Sequence, residues 1–409
     1  MDYQQRKQME RKRAEDFIAS INAMQDPDIM YKVSHPITDL KDMMNQSVAR
    51  YGADHVAFKQ RFVKGEPFRE ITYGQTLNDM NALGTAMLAR GLRDKRVAII
   101  GDNCYQWAST YLAVTGGVGV VVPLDKELGA SELEQLIIEA ECEAIFFTKK
   151  FLSIFTDMRE RGETKLRMLV NLNAEAAADG VESWSALIAE GREKIAAGDR
   201  SYLDAEVYPD EMGVLLFTSG TTGIAKGVML SHDNLLECVR ASANMVNFSS
   251  RDVLLSVLPL HHTYETCCGM LTPICLGATV CINNSLKYVV RNMNIFRPTG
   301  MILVPLFVST IYKKICDEVR KKGKEKLLAR GIAATKLARK VGIDLRKPVF
   351  AEVRRGLGGR LSKIICGGAA LDPDLVDRFD ELGIQIAQGY GITECSPLVS
   401  VNQSESNDC

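Results

Sequence analysis

Apolar residues follow two rhythms along this chain. Short, nearly continuous apolar runs occupy residues 96–100, 119–124, 144–148, 168–172, 213–218, 253–260, 278–282, 300–305, 361–366 and 384–388. Each predicts a strand buried on both faces. Between them, residues 37–51, 77–90, 131–140, 232–246 and 307–320 place apolar side chains at three- and four-residue spacing, which predicts helices with one buried stripe. Strands alternating with helices imply an α/β fold of stacked, mostly parallel sheets flanked by helices. Such folds bind ligands at the carboxyl ends of their strands. No internal repeat is visible, and residues 174–180 read as a surface connector.

The chain has 409 residues, with 46% hydrophobic and 25% charged residues. That is ordinary for a globular protein with more than one packed unit. The formal net charge of −1 gives no overall attraction to nucleic acid. The first residues lack an apolar leader core, and no apolar run approaches the roughly 20 residues of a membrane span. The eleven cysteines show no paired metal spacing. Cys281, Cys316 and Cys366 sit in apolar runs and read as buried, and Cys267-Cys268 reads as core thiols rather than a reactive pair. A reducing, cytoplasmic setting fits. Residues 4–16 mix both charges and predict a solvated helix, with a membrane or partner contact left open there. Residues 313–347 are rich in Lys and Arg. Two readings stand for them: attraction to an anionic lipid surface, or an exposed helical hairpin.

The most informative stretch is Phe217-Thr218-Ser219-Gly220-Thr221-Thr222-Gly223-Ile224-Ala225-Lys226-Gly227. Glycines let the backbone approach a ligand, hydroxyls and N–H groups donate to phosphate oxygens, and Lys226 supplies charge. A polyphosphate such as ATP suits it. It is not a Walker loop, because Lys226 is followed by Gly227 instead of the metal-binding hydroxyl. Three further segments carry chemistry. Leu258-Pro259-Leu260-His261-His262-Thr263-Tyr264-Glu265 holds two of the five histidines; in a strand they point to opposite faces, which makes a poor metal pair. Cys366-Gly367-Gly368-Ala369 runs into Asp372-Pro373, read as helix N-cap and first helical residue. Gly389-Tyr390-Gly391-Ile392-Thr393-Glu394 offers a ring that can stack on a base, a hydroxyl for phosphate and a hard oxygen donor suited to Mg²⁺.

Together, Thr218–Gly227 with Leu230-Ser231-His232, and Gly389–Glu394, resemble the two signatures of the adenylate-forming superfamily, which includes acyl-CoA synthetases, peptide-synthetase adenylation domains and luciferases. The resemblance spans roughly residues 36 to 402. Val304-Pro305-Leu306-Phe307, the basic insertion after it and Gly367-Gly368-Ala369 look most like long-chain fatty-acid–CoA ligases. The resemblance implies an N-terminal extension over 1–35 and a large domain over 36–409, in two α/β subdomains dividing near 205. It implies ATP, Mg²⁺, a fatty acid and coenzyme A as ligands. Thr218, Ser219, Gly220, Thr221, Thr222, Gly223 and Lys226 would hold the β- and γ-phosphates. Gly367, Gly368, Ala369, Gly389, Tyr390 and Gly391 would frame adenine. Thr393 would meet the α-phosphate, Glu394 and Thr218 would hold Mg²⁺, His262 would lie near the carboxylate, and Tyr264 would line the acyl route. The family's hinge and small C-terminal domain are not in this sequence, so the chain reads as the large domain alone, with impaired turnover. Activation of another carboxylate, and a non-catalytic nucleotide-binding scaffold, stay open as alternatives. A peripheral membrane contact and a homodimer are partner expectations, and nucleic acid is not.

Overall fold

The computed structural model describes residues 2–24, 36–61, 66–218, 225–283 and 285–402. In chain order its strands are β1 (Val56–Gln60), β2 (Arg69–Thr72), β3 (Lys95–Ile100), β4 (Gly119–Leu124), β5 (Ala144–Phe147), β6 (Met168–Asn171), β7 (Glu182–Ser183), β8 (Met212–Thr218), β9 (Lys226–Ser231), β10 (Val253–Ser256), β11 (Thr279–Ile282), β12 (Gly300–Leu303), β13 (Lys363–Cys366), β14 (Gln385–Gly391) and β15 (Leu398–Val401). They form a seven-stranded sheet, β7-β6-β5-β3-β4-β8-β9, and an eight-stranded sheet, β15-β14-β13-β12-β10-β11-β1-β2. The pairings are parallel except β1/β2, β8/β9 and β14/β15, each at a sheet edge.

The two-residue period of a strand explains the continuous apolar runs. In β3, Val97 and Ile99 face one core while Ala98 and Ile100 face another. In β12, Met301 and Leu303 join one cluster and Ile302 a different one. Each sheet is therefore covered on both sides. The largest core lies between the sheets and gathers Phe58, Val97, Val121 and Val280 with Trp107, Tyr111 and Leu235 from the helices Tyr105–Thr115 and His232–Met245.

Several boundaries differ from expectation for identifiable reasons. The run 253–260 stops pairing at Ser256, because the Asn103 amide accepts from Leu260 N at 3.0 Å and donates to the Leu258 carbonyl at 2.7 Å. Those backbone groups are thereby removed from the ladder. The run 300–305 ends at Leu303 because Pro305 occupies the first turn of the helix Pro305–Lys321, where a missing N–H costs nothing. Sheet membership does not follow a single cut in the chain. β8 and β9 complete the seven-stranded sheet, β1 and β2 belong to the other, and the chain changes sheets between Ser231 and Val253.

The N-terminal stretch is a helix, Tyr3–Met24, but it is not simply solvated. One face is clamped to the body by Arg6–Asp210, Lys7–Asp39 at 3.0 Å, Arg11–Asp42 at 3.3 Å and Arg13–Asp233 at 3.2 Å. Ala14 is buried, and the Tyr3 hydroxyl accepts from Val207 N.

Candidate active site

β8 and β9 pair antiparallel on either side of the glycine- and hydroxyl-rich segment. Thr218 ends β8, Lys226 opens β9, and the two are register partners. Ser219, Gly220, Thr221, Thr222 and Gly223 lie outside the described residues. Lys226 is exposed and Thr218 half-buried. The helix after β9 begins with a reciprocal cap in which Ser231 accepts from Asn234 N and Asn234 accepts from Ser231 N. This fixes where β9 leaves the hairpin.

β9 runs beside the short turn Thr393–Cys395. Glu394 is exposed on that turn and Thr393 half-buried. The two signature segments, far apart in sequence, thus meet. β14 holds Gly389, Tyr390 and Gly391, with Tyr390 63% exposed. Gly391 has no alternative: a Cβ there would sit 1.9 Å from the Pro397 carbonyl oxygen.

At the carboxyl end of the adjacent β13, Gly367 is buried while Gly368 and Ala369 are exposed. A Cβ on Gly367 would lie 3.0 Å from the Gly389 carbonyl and 3.1 Å from the Tyr264 hydroxyl. Gly368 adopts φ +82°, the left-handed region that glycine enters without strain. Asp372 then caps the helix Pro373–Glu381 by accepting from Asp374 N, as expected. Tyr264 donates to the Ile365 carbonyl at 3.2 Å, so it ties the turn after β10 to β13.

The histidine pair differs from its expected geometry. His261 and His262 are not in a strand but in a turn, held upstream by Asn103 and downstream by Thr266, whose hydroxyl donates to the Leu260 and His262 carbonyls. Their ring centroids are 4.2 Å apart instead of on opposite faces. His261 Nε2 lies 3.6 Å from Asp125 Oδ1. Burial, reinforced by His262, pushes the His261 imidazole down to about 4. Burial also lowers His262, so both rings are neutral at pH 7. No group of three metal-ligating side chains occurs among the described residues.

The turn continues into a π-helical stretch, Tyr264–Leu271, of a kind that often marks function. Inside it, Glu265 is fully buried and neither carboxyl oxygen has a hydrogen-bond partner among the described residues. Burial pushes its pKa up to about 8, moderated by Ser256 and the backbone of residues 257–258. Asn103, Asp125 and Glu265 were not singled out from the sequence. Only Glu265 had a signal, as a charged residue opening an apolar helical run. The cysteine reading holds for Cys267, Cys268, Cys281 and Cys366, which are buried free thiols; Cys316 is half-buried.

The AMP-binding enzyme family model matches residues 44–409. The chain belongs to the AMP-binding enzyme family. Among curated relatives it is 29% identical over 351 residues to long chain acyl-CoA synthetase 6, peroxisomal, of Arabidopsis thaliana, covering 81% of this chain and 49% of that one. It is 27% identical over 362 residues to long-chain-fatty-acid–CoA ligase 1 of Cavia porcellus (82% and 51%). It is also 26% identical to a chloroplastic long-chain-fatty-acid–[acyl-carrier-protein] ligase of Arabidopsis thaliana (90% and 57%). The chain thus spans about half the length of the curated relatives it matches. Solved structures share the fold. An anthranilate CoA ligase in complex with anthranoyl-AMP superposes with TM-score 0.68 at 17% identity, covering 94% of this chain and 63% of that one. A long-chain-fatty-acid-CoA ligase from Archaeoglobus fulgidus gives TM-score 0.68 at 18% identity (92% and 69%). Among the described residues no helix is long and apolar enough to cross a membrane.

Proposed function

We propose that this chain is the ATP- and acid-binding part of a long-chain fatty-acid–CoA ligase. The observation that supports the reading most is the convergence of separate segments. β9 starts at Lys226 and runs beside the Thr393–Cys395 turn, while Gly367, Gly389 and Tyr264 touch at the next strand ends. The names of the relatives point to long-chain acids.

In this reading the fatty carboxylate oxygen attacks the α-phosphorus of ATP. A P–O bond forms, the bond to the β-phosphate oxygen breaks, and pyrophosphate leaves with the electron pair. The thiol of coenzyme A, or of an acyl carrier protein as in one relative, then attacks the acyl carbon and AMP departs. Lys226 and Thr218 face the phosphates, and Thr393 orients the α-phosphate. Gly367, Gly368, Ala369, Gly389, Tyr390 and Gly391 leave room for a flat ring. The neutral His262 admits a carboxylate without locking it in an ion pair, and Tyr264 forms part of the acyl wall.

Glu394 and Thr218 fit Mg²⁺ by donor type. They are oxygen donors, one of them an exposed carboxylate, and Mg²⁺ commonly takes one or two protein oxygens and completes its shell with phosphate and water. When bound, the ion neutralises phosphate charge. The test is acid-dependent exchange of labelled pyrophosphate into ATP across acyl, aryl and branched acids, in a form of the protein as long as its relatives, with isothermal titration of ATP and an acyl-sulfamate adenylate analogue into the 409-residue chain. Exchange with long-chain acids is the expected result. Exchange only with aryl acids transfers the assignment to another carboxylate, and tight binding with no exchange supports a nucleotide-binding scaffold.

A further inference from the structure

The helix Glu325–Arg339 stands at the outer edge of the molecule and buries only Thr335. Lys336 and Arg339 attach one side of it to the helix Pro373–Glu381 through Glu381 and Asp380, each at 2.6 Å. The opposite side is unpartnered. Leu327, Arg330, Ala334 and Leu337 recur at three- and four-residue steps and share one exposed face. Leu327 is 63% exposed, Leu337 68%, and Val341 and Ile343, just beyond the helix, 72% and 52%. Apolar side chains so open to water signal a contact.

Charge decides what kind. Residues 326–343 contain Lys326, Arg330, Lys336, Arg339 and Lys340 and not one Asp or Glu, in a chain whose net charge is −1. Neighbouring cations are paired: Lys322 and Lys324 share Glu352, and Arg346 holds Asp344 and Asp380. Lys326, Arg330 and Lys340 form no ion pair among the described residues. Exposed leucine and valine flanked by unneutralised cations are the chemistry of a surface that lies in a lipid interface, with apolar groups dipping in and cations on the headgroups.

We propose that the Glu325–Arg339 helix and the turn to Ile343 form a docking face for an anionic lipid bilayer. The inference does not depend on the reaction proposed above. An acidic protein would match the charges but not the exposed apolar row, and a second copy would match the apolar row but repel the charges.

The test is flotation of the 409-residue chain with vesicles of phosphatidylcholine plus phosphatidylglycerol, and with phosphatidylcholine alone. Binding is expected only to the mixed vesicles, weakening as salt is raised. Lys326→Glu/Arg330→Glu/Lys340→Glu is expected to lower the partition coefficient on the order of a hundredfold. Leu337→Ser/Val341→Ser is expected to lower it about tenfold at either salt concentration, from the lost apolar insertion. All five positions are exposed, so circular dichroism and the thermal midpoint of the variants should match the parent. No binding to mixed vesicles, or equal binding of parent and charge variant, overturns the proposal. So does a concentration-dependent dimer in sedimentation velocity that Leu337→Ser abolishes.

Discussion

Lys226 and Gly391 would act on the proposed site in two different ways. Lys226 is exposed at the mouth of the hairpin, so its removal should leave the fold intact. Its value lies in charge: a cation about 4 Å from a phosphate contributes roughly 4 kcal/mol at an effective dielectric near 20. Solvent screening reduces that, so Lys226→Ala is expected to slow pyrophosphate exchange by on the order of a hundredfold with an unchanged melting curve. An exchange rate within twofold of the parent removes Lys226 from the phosphate site. Gly391 acts through space. Its missing Cβ is what allows the Pro397 carbonyl to approach, and backbone on both sides leaves no flexible neighbour to give way. Gly391→Ala is expected to cost about 2–4 kcal/mol in denaturant unfolding. If its midpoint matches the parent's, the β14–β15 turn is looser than described.

At the scale of elements, the turn between β10 and the π-helical stretch is held by one side chain from another strand's loop. Asn103, after β3, bonds on both sides of Pro259. Asn103→Ala orphans a carbonyl and an N–H at once, at about 1–3 kcal/mol. Because the same turn carries His261 and His262, KM for the acid is expected to rise while KM for ATP stays level. Equal changes in both would make Asn103 merely structural. This element also shows what a sequence can disclose. The ten expected strands all contain a strand, since runs buried on both faces advertise themselves. β1, β2, β7 and β15, at or beside a sheet edge and at most partly apolar, do not. The apolar run 253–260 outlasts its strand, and nothing local reveals that Asn103 takes the hydrogen bonds of residues 258 and 260. Strand geometry, which would oppose the two histidines, does not hold in the turn they occupy. The signature segments were legible because glycine and hydroxyl spacing is local. The contacts that position them arise only when distant strands pair.

For the whole molecule, buried titratable groups set two opposing pH dependences. His261 and His232 are each held down to about 4 by burial. Such depressed groups contribute stability that is complete above the unfolded value of about 6.5 and is lost as pH falls through about 4. Glu265 runs the other way. Its folded value of about 8 exceeds the unfolded carboxyl's roughly 4.3. Its contribution is therefore complete below about 4.3 and is lost as pH rises through 8. The shift corresponds to at most about 5 kcal/mol by alkaline pH. Stability should therefore peak in the mildly acidic range, between the two losses. Glu265→Gln keeps the shape of the side chain and cannot ionise, so it isolates one arm of the profile. In denaturant titrations at pH 5 and pH 8, the variant is expected to gain a few kcal/mol over the parent as pH rises, while the acid-side loss persists in both. Parallel profiles across that interval would show that Glu265 is already ionised at pH 5. Ser256 and the backbone of residues 257–258 only partly offset the burial of this carboxyl, so a charge held at that depth would require its cavity to open to water.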